Sequence, residues 1–331
     1  MHERAVQLGL LVLVLTALPA AKQPPARQHH PQTPARHSQR MALECGNLLA
    51  FQVLLDRSGF SPGQIDGQSG PNFQHALMAF QEANGVAESG QADCATWQAL
   101  NGGSSTDTVA KYTIQEGDVD SRYVAKIPDD LLQQAQLPDL GYTSTLERLG
   151  ERFHSAPTLL RRLNARTAMA AGNEISVPGV EPFDVAERPK PSPDAGDVRI
   201  VVSRDDSSLR VLRSDGSILR FAPVTTGSAH DPLPIGDWTI KGVQWRPPFH
   251  YNPDLFWDAK PEDTKATIKP GPNNPVGVVW IALNLEHYGL HGTPAPELVG
   301  HTASHGCVRL TNWDAARIAS LVKPGTPVQF R

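Results

Sequence analysis

Ser304-His305-Gly306-Cys307-Val308-Arg309-Leu310, read SHGCVRL, decides how the last third of this chain is understood. A second histidine stands fourteen residues before His305, in His291-Gly292-Thr293. Gly306 directly precedes the cysteine, so backbone N–H groups and an incoming carbonyl can approach closely. A free thiol has a pKa near ~8.5 and is mostly protonated at neutral pH; an adjacent imidazole can take that proton and leave a thiolate–imidazolium pair. Three readings fit the residues alone. Cys307 is a packed core thiol, or His291, His301, His305 and Cys307 are tetrahedral zinc ligands, or Cys307 is a nucleophile with His291 as its base. The spacings match no zinc pattern, and one cysteine among loop histidines suits a thiol nucleophile better.

Around this stretch the hydropathy alternates with period two. VRIVVS, LRVLR and ILRFAPVTTG are strand-like, RSDGS is a turn between two of them, and DWTIKGV and VGVVWIALN are further strands. A late helix is expected around Trp313 to Val322, capped by Thr311 or Asn312. The irregular run QWRPPFHYNPDLFWDAK, with Trp245, His250, Phe256 and Trp257, has the length of a lid over a cleft.

At 331 residues the chain is expected to hold two or three units. Its net charge of −4 gives no general attraction to nucleic acid or an anionic membrane. Leu8 to Leu18 is an apolar core of eleven residues followed by Ala20 and Ala21. That is too short for a bilayer of ~30 Å and reads as a signal peptide over 1–21, placing the protein outside the cytoplasm. Residues 22–40, with His29, His30 and His37, read as a disordered Pro-rich tether. In an oxidising compartment two of the three cysteines can pair, which leaves one free thiol.

Residues 41–101 have helical periodicity. Leu48, Phe51 and Leu55, then Phe73, Ala76, Leu77 and Phe80, are separated by the turn-rich GFSPGQIDGQSGP, and Asp93 can cap a last helix holding Trp97 and Leu100. So small a core is marginal, and a Cys45–Cys94 disulfide closing a loop of 49 residues would add about 3–4 kcal/mol. NGGSSTDTV is a flexible linker. From 111 to 180 the order is β-α-α-β, with Ser155 as a helix cap, and about twenty residues containing IPDDLLQQAQLPDLGY follow Val119. Residues 181–197 form a Pro-rich linker, and 198–331 the β-rich unit.

Three resemblances follow from these motifs. QVLL, GF, DG, ALMAFQ and TWQAL make residues 41–101 similar to the peptidoglycan-binding three-helix domain. LLRRLNAR and AGNEISVP make 111–180 resemble a lysin-motif (LysM) module, a binder of N-acetylglucosamine polymers, with an insertion that could block the glycan groove. HGT and ASHGCVRL, with TTGSAHDPLPIGDWTI, IKPGPNNPVGVVWIAL and NWDAARIASLVKPGTPV in order, make 198–331 resemble the L,D-transpeptidase catalytic domain, a β-sandwich-like fold.

The last resemblance implies an exported, periplasmic enzyme of the cell wall. Its chemistry would be a Cys307 thioester with a peptidoglycan tetrapeptide stem, release of D-alanine, and transfer to an amine in a 3→3 cross-link or to a lipoprotein lysine. His291 would be the base, oriented by the Gly292 carbonyl, and His305 a supporting group. The amides of Gly306 and Cys307 would form an oxyanion hole, worth about 3–4 kcal/mol per donor. Ser304, Thr293 and Arg309 would bind substrate, Arg309 through a stem carboxylate. No metal or organic cofactor is implied. Hydrolysis of the same thioester, as a carboxypeptidase or endopeptidase, and a non-catalytic wall-binding protein are the alternatives.

Overall fold

The structure, a computed structural model, describes residues 45–101, 107–119 and 122–331. The expected signal peptide, the tether and the centre of the 101–109 linker lie outside the described residues. None of the described helices is long and apolar enough to cross a membrane.

The helical unit is built from α1 (Leu48–Arg57), α2 (Pro71–Asn84) and α3 (Cys94–Asn101). Local chemistry sets each end. Asn47 accepts from the Ala50 N–H at the start of α1, Pro71 opens α2, and Gly85 closes it with a left-handed φ of 65°. Asp93 accepts from both the N–H and the hydroxyl of Thr96. Cys45 and Cys94 are joined, with Cα atoms 5.0 Å apart. Gly46 is required beside them, because a Cβ there would meet the Trp97 ring at 2.4 Å.

The middle unit pairs β1 (Val109–Thr113) antiparallel with β2 (Glu174–Pro178). Between them lie α4 (Leu131–Gln134), α5 (Thr145–Arg152) and α6 (Pro157–Leu163). Ser144 caps α5. Ser155 does not cap α6 as the sequence suggested: that position is taken by Ala156, Pro157 begins the helix, and the Ser155 hydroxyl donates to the Ala156 carbonyl instead.

The C-terminal unit is mainly β. Its strands are β3 (Val198–Ser203), β4 (Ser208–Arg213), β5 (Ile218–Pro223), β6 (Gly236–Trp245), β9 (Val279–Leu283), β10 (Gly289–His291), β11 (Val308–Arg309) and β12 (Pro327–Phe330). They follow the order β11-β10-β9-β6-β12-β3-β4-β5. The expected sandwich is therefore one continuous eight-stranded ladder. β6 joins its halves, pairing with β12 over Gly236–Thr239 and with β9 over Ile240–Trp245, with a register shift at Ile240/Gly242. Such a bulge bends the sheet, and apolar residues of both halves share one core with α7 (Asn312–Ala319). Thr311 caps α7, which stops three residues short of the expected end. The short pair β7 (Phe249–Tyr251) and β8 (Ala266–Ile268) forms a separate flap.

The units are docked. The stretch 59–71, which reads as plain turns, is the fastener. Phe221 on edge strand β5 exchanges backbone bonds with Gly59 and Ser61, which covers that edge. Four residues later, Ile65 bonds to His154 and Ala156 of the middle unit. Phe221 and Ile218 complete the helical core, while Val53 and Ile65 complete the middle one.

A buried carboxylate lies where the three units meet. Asp56 of α1 receives both guanidinium nitrogens of Arg317 at 2.9 Å, and His154 Nδ1 at 3.1 Å. Ser61 donates to Asp314 at 2.7 Å, and His154 stacks on Trp313. Burial would raise the Asp56 carboxyl, but Arg317 and then His154 overcome it and hold the group below the usual carboxylate range. Removing one partner of such a pair strands the other. Asp56→Ala is expected to lower the unfolding free energy by about 3–5 kcal/mol in urea titration; a loss under about 1 kcal/mol would show that the junction does not hold the units together.

Candidate active site

The parallel pair β10–β11 sets Leu290 opposite Val308 and His291 opposite Arg309. Leu290 and Val308 are fully buried in the core. Alternation along a strand then puts His291 and Arg309 on the other face, and Cys307, two residues before Arg309, with them. All three line one cavity of about 680 Å³. Cys307 is half-buried and is the free cysteine among the described residues.

The imidazole of His291 is held from two sides. Its Nδ1 lies 2.7 Å from the Gly292 carbonyl; a carbonyl only accepts, so Nδ1 carries the hydrogen and Nε2 keeps a free lone pair. Trp280, its partner on β9, stacks on the ring at 5.5 Å. Below the turn, Asn312 fills the space where a Cβ on Gly292 or Gly277 would sit, with its Oδ1 about 2 Å from each such position. The Asn312 side chain also accepts from the Val278 N–H and donates to the Pro272 carbonyl. Gly292 is thus needed for close packing as well as for its carbonyl.

Burial, and then the positive charge of Arg309, push His291 down to about 3; the Gly292 hydrogen bond only partly opposes them. Burial raises the Cys307 thiol, against smaller lowering effects from the Gly289 amide and Arg309. Both shifts favour the uncharged forms of the thiol and the imidazole. Burial disfavours both charges of the thiolate–imidazolium pair that the sequence allows. The thiol instead faces the His287 carbonyl at 3.6 Å.

The other expected residues divide. His305 lines the cavity and pairs with Asp258 at 3.0 Å. Gly306 has φ 94°, and a Cβ there would meet Tyr288 at 2.7 Å. Arg309 lines the cavity, with no carboxylate of the described residues in ion-pair distance. Ser304 and Thr293 are buried and do not line it. Ser304 donates to the Cys307 carbonyl at 2.6 Å and so braces the turn, while Thr293 Oγ1 accepts from the Ala295 N–H. The irregular 244–260 run forms cavity wall with the β7–β8 flap, although Trp257 is exposed and stacks on His230, and Trp245 packs on the core. His301 turns toward Asn72 of the helical unit, and among the described residues no three His, Cys, Asp or Glu are arranged to hold a metal ion.

Trp280, Tyr288 and Asp258 were not singled out from sequence, and Asn312 was considered only as a helix cap. Trp280 alone had a signal: in VVWIAL it falls on the face opposite Val279 and Ile281.

The L,D-transpeptidase catalytic domain profile matches residues 197–330, and a profile described provisionally as a peptidoglycan binding domain matches 46–100. A protein of Fuscovulum blasticum, provisionally named an L,D-transpeptidase in the ATP synthase subunits region, is 37% identical over 138 residues, 40% of this chain and 69% of that one. The provisionally named L,D-transpeptidase YkuD of Bacillus licheniformis is 28% identical over 189 residues, 56% of this chain and 93% of its own. YbiS of Escherichia coli strain K12, also provisionally an L,D-transpeptidase, is 31% identical over 144 residues, 42% of this chain and 46% of its own. The chain belongs to the L,D-transpeptidase family, and it is an enzyme of the acyltransferase class. Its helical unit is a peptidoglycan-binding domain. The two profiles leave 101–196 unmatched.

The depressed His291 fixes a pH signature. The folded chain takes up this proton only near about 3, whereas an unperturbed histidine does so near 6.5, so stability associated with His291 is lost as pH falls from 6.5 toward 3. The acid limb of kcat/KM is expected well below 6.5, and Arg309→Met should move it upward. A limb near 6.5 in the unaltered enzyme, unmoved by that substitution, would contradict the assignment.

Proposed function

We propose that the protein is an exported L,D-transpeptidase of the cell wall that uses Cys307 as nucleophile and His291 as base. The observation that carries this reading is the shared strand face: His291, Cys307 and Arg309 line the same cavity. As the thiol attacks the carbonyl of the third stem residue, its proton passes to Nε2 and a C–S bond forms. Collapse expels the D-alanine amine, which takes the proton from His291. The thioester is then attacked by an amine of a second stem, whose proton returns through His291 to the thiol.

Several features support this assignment. A neutral base with a fixed tautomer can accept a proton at neutral pH, and a dry thiol gains reactivity only once that transfer begins. Arg309, free of a carboxylate partner among the described residues, suits a stem carboxylate. The Gly306 and Cys307 amides are the proposed oxyanion donors, and His305, held by Asp258, a supporting group. The helical domain, fixed against the catalytic unit, would hold the cleft on its polymer. The middle unit, whose order is β-α-α-β once α4 of the insertion is set aside, is proposed as a LysM-like further wall contact.

The test is to give the purified protein a tetrapeptide stem with an acceptor stem. Released D-alanine, a tripeptide adduct on Cys307 and a 3→3 dimer are expected by mass. Cys307→Ala should abolish all three, and His291→Ala should slow acylation by about 10²-fold or more. Turnover retained in Cys307→Ala would remove the proposed nucleophile; tripeptide as sole product would make the enzyme a carboxypeptidase.

A further inference from the structure

The insertion of the middle unit is too well anchored for a spacer. The Val124 N–H bonds to the Tyr142 carbonyl at 2.9 Å, closing the neck of the excursion. Inside it, Asp130 caps α4 and meets Lys260 of the 244–260 run at 3.5 Å. At its far end, Asn273 of the catalytic unit donates to the Leu140 and Gly141 carbonyls and to Glu147. A Cβ on Gly271 would stand 2.2 Å from the Leu140 carbonyl oxygen, so the contact demands glycine. The segment Asp129 to Leu132 thereby lines the same cavity as Cys307 and His291.

We infer that this segment, brought from another module, is the acyl-acceptor wall of the cleft: Leu131 and Leu132 take the methylenes of an alkyl-ammonium side chain, and Asp129 receives its charge on entry. The ammonium gives up a proton to solvent before the neutral amine attacks the thioester and passes its second proton through His291 to the departing thiolate. The inference rests on the thioester reading above. The two leucines remain half-buried after docking, although they sit on a short helix anchored at both flanks. They offer apolar surface to the cavity, and Asp129 beside them is exposed, whereas Asp130 is committed to its cap and to Lys260. An apolar strip ending in a carboxylate matches a chain of methylenes ending in an ammonium. An acceptor so placed also displaces water from the thioester, which decides between transfer and hydrolysis.

The full chain is loaded with tetrapeptide donor and offered two acceptors, Nα-acetyl-lysine amide and glycinamide. Leu131→Ser/Leu132→Ser is expected to raise KM for the lysine derivative by about tenfold, about 1.4 kcal/mol, and to shift product toward tripeptide, with little change for glycinamide. Asp129→Asn, at an exposed position unable to unfold the chain, should raise the same KM by about threefold in low salt and less in high salt. Equal effects on both acceptors, or none on either, would overturn the acceptor wall. An absence of any Cys307 adduct in the unaltered enzyme would instead overturn the thioester reading itself.

Discussion

A carboxylate with no access to water, Asp56, is shared by an arginine of the catalytic unit and a histidine of the middle unit. Taking such a charge out of water costs several kcal/mol per ion, so the arrangement persists only because the bidentate Arg317 fork and the His154 ring satisfy it together. In this placement of the three units the buried carboxylate is paired on both sides. The backbone bonds from Gly59, Ser61 and Ile65 fix that placement further, since a buried strand edge left unpaired is costly.

Helix α7 carries this constraint to the chemistry. Arg317 and Asp314 face the junction, Trp313 stacks on His154, and the adjoining Asn312 packs beneath the His291–Gly292 turn. Glu151 of the middle unit, pushed up to about 8 by burial against some lowering by Asn312 and Tyr142, is therefore largely neutral beside the same asparagine. A displacement of the units would pass through one short helix to the ring of the proposed base. With the α4 wall, this makes the cleft a product of more than the catalytic domain.

Inside the cleft, dryness dominates charge. Burial is the leading influence on His291, Cys307 and Arg309 alike. Each is pushed toward its neutral form, and Arg309 adds to this at His291. Separated charges are postponed to the moment of reaction, when the substrate itself can complete the site.

Much was legible beforehand. SHGC and HGT pointed to the L,D-transpeptidase family through a resemblance that the family comparison shows. Alternation in VRIVVS and VVWIAL gave strands, since period two follows from the pleat whatever the surroundings. Capping by Asp93 and Thr311 was readable because it acts within three residues. The sequence did not reveal that Ser304 and Thr293 are buried in turn contacts, because a hydroxyl next to such a motif looks the same whether it braces a turn or meets a ligand. The docking of three modules, the shared Asp56, the push of the site toward its uncharged forms and the borrowed α4 wall were decided by tertiary structure alone. Each depends on groups such as Asp56 and Arg317, or Leu131 and Cys307, that are far apart along the chain, and burial sets their energies only once the chain has brought them together.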